Sequence, residues 1–121
     1  MAEGLLRHDA GELFDVESAG TKPIGVRPEA IAVMAELGID IRGHRSKHVD
    51  EFIGQSFDYV ITVCDQARQS CPVFLGPAHH LHQDFKDPAV VVGPEEQRLD
   101  VFRHVRDQIR DYLREFTVMF A

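Results

Sequence analysis

Residues 57–64, "FDYVITVC", form the strongest strand signal in the chain, a run of aromatic and β-branched side chains. Runs of this kind belong to strands buried on both faces, as in parallel sheets. Parallel strands need long crossovers, so one such strand commits its neighbours to alternating helices and strands. The flanking sequence follows that alternation. "MAEGLLRHDAGE" reads as a helix ending near Gly11, and "LFDVESAG" as a strand running into a turn. "RPEAIAVMAELG" reads as a helix with Pro28 in its first turn and Gly38 as its stop. Ile31, Met34, Ala35 and Leu37 supply its apolar side. "VDEFIG" predicts a short helix with Asp50 and Glu51 at its polar start, and "AHHLH" a second strand. "QDFKDPAVVVGP" is irregular. From Pro94 onward Leu99, Phe102, Val105, Ile109, Tyr112, Leu113 and Phe116 recur at three- and four-residue steps, which predicts a helix with one face on the core. The expected architecture is α/β, a three-layer sandwich around a mostly parallel sheet.

At 121 residues the chain is expected to form one domain, with roughly two-thirds of its unfolded surface buried. Its net charge of −7 argues against broad contact with nucleic acid or an anionic membrane. No apolar run is long enough to span a bilayer, and no signal-peptide pattern opens the chain. Two cysteines without a secretion signal fit a reducing cytoplasm.

Those cysteines, Cys64 and Cys71, stand seven positions apart in "TVCDQARQSCP". Cys64 falls where the strand gives way to a predicted helix, with Asp65 as its N-cap and Gln66 its first residue. Ligand sites of open α/β folds lie at such carboxyl ends, and a helix N-terminus lowers a thiol's pKa. Were residues 65–71 helical, the two Cα atoms would lie about 10 Å apart. A disulfide needs roughly 4.4–6.8 Å, so the bond could form only if the segment unwound. On spacing alone two buried apolar cysteines are the preferred reading. The polar "DQARQS" and Pro72 pull toward a switch, and local sequence leaves both open.

"SAGTKP" (18–23), "GIDIRGHRSK" (38–47), "FDYVITVCDQARQSCP" (57–72) and "FKDPA" (85–89), in this order, resemble the thioredoxin-coupled arsenate reductases. These are built on the low-molecular-weight tyrosine-phosphatase fold, and the resemblance runs from Met1 to about Phe116, leaving "TVMFA" outside it. It implies an enzyme that turns arsenate into arsenite through a relay of three thiols. A first cysteine, in a Cys-x5-Arg loop, attacks the arsenic, a second attacks the first, and a third takes over the disulfide for thioredoxin to reduce. Cys64 matches the second and Cys71 the third. Asp87 matches the general acid that protonates a departing oxygen. Read from the residues alone, Asp87–Pro88 is turn chemistry.

The sequence departs from the family in one respect. No Cys-x5-Arg stands anywhere in its 121 residues, nor does the strand that should precede that loop. The expectation is therefore that the chain begins at an internal methionine, with a rearranged or strand-borrowing remnant as the alternative. Either way the sheet is expected to lose an interior strand between "LFDVESA" and "FDYVITV", orphaning backbone groups there. The chain as written is not expected to reduce arsenate.

Smaller constellations add detail. Glu3 and Ser18 match positions that help hold potassium in some relatives, but Lys47 stands where those relatives place an acid. Its ammonium is expected to bind the same oxygens, so neither potassium nor any other metal or cofactor is expected. A solvated surface lysine is the alternative. His79, His80 and His82 alternate along a strand and lack a partner at ligand spacing. His44 and His48 are four apart, but Gly43 makes a continuous helix there doubtful. A tyrosine-phosphatase-like hydrolase shares the Asp-Pro acid but needs neither Cys64 nor Cys71. A non-enzymatic remnant of the fold is the third reading.

Overall fold

The structure is a computed structural model describing residues 1–19, 26–44, 47–52, 54–63 and 78–120. Helices α1 (Ala2–Ala10) and α2 (Pro28–Ala35) come first, then strands β1 (Tyr59–Thr62) and β2 (His79–His82), then helix α3 (Glu95–Phe120). Short 3-10 turns lie at Val49–Phe52 and Pro88–Val90. Among the described residues the expected helices are present, the one at "VDEFIG" as a 3-10 turn, and so are the two strands at "FDYVITVC" and "AHHLH".

α3 organises the core. Its predicted stripe buries Phe102, Val105, Ile109, Leu113 and Phe116, while Leu99 and Tyr112 are half-buried against the same cluster. Both α1 and α2 pack on it. α1 contributes Leu5, Leu6 and Ala10, and α2 contributes Ala30, Val33 and Met34. Two arginines pin these seams. Arg110 makes a bidentate pair with Asp9 of α1 at 2.9 and 2.8 Å, which pulls the Asp9 carboxyl down to about 2. Arg106, itself buried, donates to the Val33 carbonyl near the end of α2 and to Glu36, each at 2.9 Å.

α2 ends as Gly38 predicts. Gly38 adopts φ +75, the left-handed conformation that a side chain would strain. The Ile39 amide reaches back to the Met34 carbonyl at 3.0 Å and the Gly38 amide to that of Ala35 at 2.9 Å, a Schellman closure. Ile39 and Ile41 then return to the core. The buried side of α2 differs from expectation: Ala35 is exposed, and Ala30 and Val33 take its place.

Gly4 lets α1 approach this segment. A Cβ there would lie 2.8 Å from Ile41 Cγ2 and 3.1 Å from Met34 Cε, both buried side chains. Overpacking costs about 1–3 kcal/mol, against about 1 kcal/mol that alanine gains in a helix. Gly4→Ala is therefore expected to lose about 1 kcal/mol net, read from the midpoint of urea unfolding.

β1 and β2 pair in parallel, Tyr59 opposite His79 through Thr62 opposite His82. Two strand expectations need correction. β1 is half-buried along its length rather than covered on both faces. Among the described residues it has a single ladder neighbour, and it meets the core through Tyr59 and Ile61 alone. Residues 14–19 form no strand. Phe14 and Val16 pack against the core as their apolar character predicts, but Nε and Nη2 of Arg7 bond the Val16 carbonyl in place of a ladder partner.

Candidate functional site

The register puts Thr62 and His82 at the same edge of the sheet, the carboxyl ends of both strands. Sites of open α/β sheets collect at this edge. The described chain reaches Val63, one residue past β1, and Cys64 is next in sequence. Cys64 and Cys71 both lie outside the described residues, as does the helix expected from Gln66.

Asp87 leaves the same edge from β2. It precedes the 3-10 turn Pro88–Val90, and its Oδ1 accepts from the Ala89 amide at 2.9 Å. That bond is the turn chemistry its Asp-Pro context predicts. Phe85, whose ring lies edge-on to Tyr112 at 5.9 Å, and Ala89, packed on the core, hold this loop against α3. The half-buried carboxyl is thus fixed in place by its own turn.

The strand ends are also joined by side chains. Thr62 Oγ1 lies 2.5 Å from His82 Nδ1, and His82 Nε2 lies 2.6 Å from Asp84 Oδ1. Sequence reading placed His82 on one side of a strand but missed this link, because a parallel register cannot be read from either strand alone. His79 faces away as the alternation predicts, its ring 4.8 Å from that of Phe120. No cluster able to hold a metal ion occurs among the described residues.

A second polar cluster gathers at the N-terminal turn of α1. Glu3 is buried, and its Oε1 accepts from Ser18 at 2.9 Å and from Lys47 Nζ at 3.0 Å. Lys47 also bonds Glu17 Oε2 at 2.8 Å, and His44 Nδ1 sits 3.2 Å from Glu3 Oε2. The Lys47 side chain is only 9% exposed, so it is not a solvated surface charge. Its ammonium stands 5.8 Å from the Phe52 ring centroid, within reach of a cation–π attraction. Burial pushes the Glu3 carboxyl up, but hydrogen bonds from Lys47 and Ser18 and nearby cations outweigh it and leave the group below its ordinary value. Burial likewise pushes Lys47 down, and its bonds to Glu17 and Glu3 reverse the sign. Lys47 thus bonds Glu3 as expected. Glu17 and His44, which sequence reading left out of this cluster, complete it through chain segments far apart in sequence.

Known proteins resemble this chain along nearly its whole length. A profile of the low molecular weight phosphotyrosine protein phosphatases matches residues 1–120. Over 116 residues the chain is 40% identical to an arsenate reductase of Oceanobacillus iheyensis and 38% identical to one of Bacillus subtilis. Each alignment covers 96% of this chain and 84% of the relative. Among solved structures it resembles an arsenate reductase in a phosphate-binding state, with TM-score 0.77 and 30% identity. It also resembles an arsenate reductase in an oxidised state, with TM-score 0.78 and 29% identity. Both matches cover 99% of this chain and 87% of the other.

Proposed function

The chain belongs to the low molecular weight phosphotyrosine protein phosphatase family, and from that premise we propose that it is the thiol-relay portion of an arsenate reductase. Likeness to proteins named arsenate reductase along nearly the whole chain carries this reading. The sheet edge supports it, since Cys64 directly follows the residue past β1 and Asp87 leaves the same edge from β2.

In the proposed reaction a first thiolate attacks arsenate, and Asp87 protonates the oxygen that leaves as water. Cys64 then attacks the sulfur of that adduct. The S–As electron pair stays with arsenic, which departs as arsenite two electrons richer, and a disulfide remains. Cys71 attacks Cys64, freeing the first thiol and leaving Cys64–Cys71 oxidised. A thioredoxin dithiol returns two electrons and two protons. Such cycling needs a reducing compartment, which points to the cytoplasm. No Cys-x5-Arg stands in the 121 residues, so these residues supply neither the first thiol nor the arginine that would neutralise the oxyanion. By itself this chain is expected to release no arsenite.

Mild oxidation of the purified chain should yield a Cys64–Cys71 disulfide by peptide mass mapping, and reduced thioredoxin should reopen it. Absence of that bond after oxidation would sink the relay. Arsenite release by the chain alone would overturn the stated inactivity. A phosphomonoesterase reading shares the family and the Asp-Pro turn, but it leaves both cysteines without a task and predicts no thioredoxin-sensitive disulfide.

A further inference from the structure

Helices and strands are held in this molecule by different means. Every buried apolar side chain among the described residues lies on α1, α2 or α3, or at Ile39 and Ile41 just after α2. Charge adds to those seams, through Asp9–Arg110 between α1 and α3 and Glu36–Arg106 between the end of α2 and α3. The strands are half-buried or exposed along their length. They reach the core through Tyr59, Ile61 and Leu81, which pack against it without being buried in it. Rings near the end of α3 add to this hold. Tyr59 lies 5.3 Å from Phe116 and 5.1 Å from Phe120, and His79 lies 4.8 Å from Phe120. A two-stranded sheet is marginal alone and depends on such cover.

We propose that the β1–β2 pair is a separate opening unit, which parts from α3 in a local step while α1, α2 and α3 stay packed. Such a step takes less free energy than global unfolding, because it breaks only the contacts of the sheet. The carboxyl edge with Thr62 and His82 belongs to this unit. The edge at which open α/β sheets bind ligands can therefore rearrange over an intact helical core. This inference does not depend on the relay reading, whose own failure shows as no Cys64–Cys71 disulfide in the oxidised chain.

The test is native-state hydrogen exchange of the whole chain, followed residue by residue by NMR. The His79 amide, bonded to the Asp58 carbonyl, and the Gln83 amide, bonded to that of Thr62, report the sheet. The amides of Leu6 and Ile109, inside α1 and α3, report the helices. Val33 is 0% exposed on α2, which packs on α3. Val33→Ala weakens contacts that outlast the local step, so it should speed the helix pair about tenfold and leave the sheet pair unchanged. Phe120→Ala weakens contacts that the local and the global step both break, so it should speed all four amides about fivefold. Low urea on the parent chain decides the point without a variant. Exchange of the sheet pair should rise with urea, but less steeply than that of the helix pair. If Val33→Ala speeds all four amides by one factor, or all four share one urea slope, the molecule opens as a single unit and the proposal fails. A sheet pair indifferent to both urea and Phe120→Ala would mean fraying of single bonds, and the proposal fails as well.

Discussion

Lys47→Met is expected to lower the unfolding free energy by about 3 kcal/mol, the lower end of the range for a buried pair broken on one side. For a chain of this size that is a fall in Tm of about 10 °C, measured by calorimetry. The reason is what remains. Glu3 is 8% exposed, and without the ammonium its carboxylate keeps only Ser18 and His44 as polar partners among the described contacts. Removing the charge as well, in a Lys47→Met/Glu3→Gln pair, should recover most of the loss, since two neutral groups need no counter-ion. If the double variant is as unstable as the single, packing around Lys47 rather than the stranded charge is the cause.

The same cluster fixes a pH dependence. The Glu3 carboxyl lies below its ordinary value in the folded chain, so the stability it contributes is complete above the ordinary carboxylate range. That stability is lost as pH falls through the folded value. Lys47 lies above its ordinary value, so its share is complete below the ordinary lysine range and is lost in strong alkali. Acid titration of Tm should therefore be steeper in the parent than in the double variant.

Phe116→Ala is the second large effect, about 3–5 kcal/mol. The ring is 4% exposed, and its centroid lies 5.2 Å from that of Phe14 and 5.3 Å from those of Tyr59 and Phe120. It is where α3 meets β1 and the chain that follows α1. Phe116→Leu keeps most of the buried volume and should cost about 1 kcal/mol, read from the midpoint of urea unfolding. Equal losses in the two variants would show that the ring contacts, rather than the filled volume, carry the energy.

Local pattern made part of this molecule legible. The α3 stripe and the closure of α2 at Gly38 depend on neighbours within a turn or two, and both stand where the sequence puts them. Reading "LFDVESAG" as a strand failed for the opposite reason. Phe14 and Val16 do seek the core, but an apolar alternation says nothing of whether a strand lies alongside. β1 shows the same limit, since its run signals burial while its actual cover depends on how many strands flank it. Arg106 gives no signal of burial in the sequence, yet it is buried because α2 offers it a carbonyl and Glu36. The site divides likewise. The Asp87 turn is local, and the bond between Lys47 and Glu3 followed from the family resemblance. Glu17, His44 and the Thr62–His82 link depend on contacts between distant segments.

The placement of α3 also governs how the molecule is made. A nascent chain emerging from the ribosome has released α1, α2 and both strands before it completes the helix that α1 and α2 share. Until residue 116 is out, the apolar sides of Leu5, Met34 and Tyr59 lack the cover that this helix supplies.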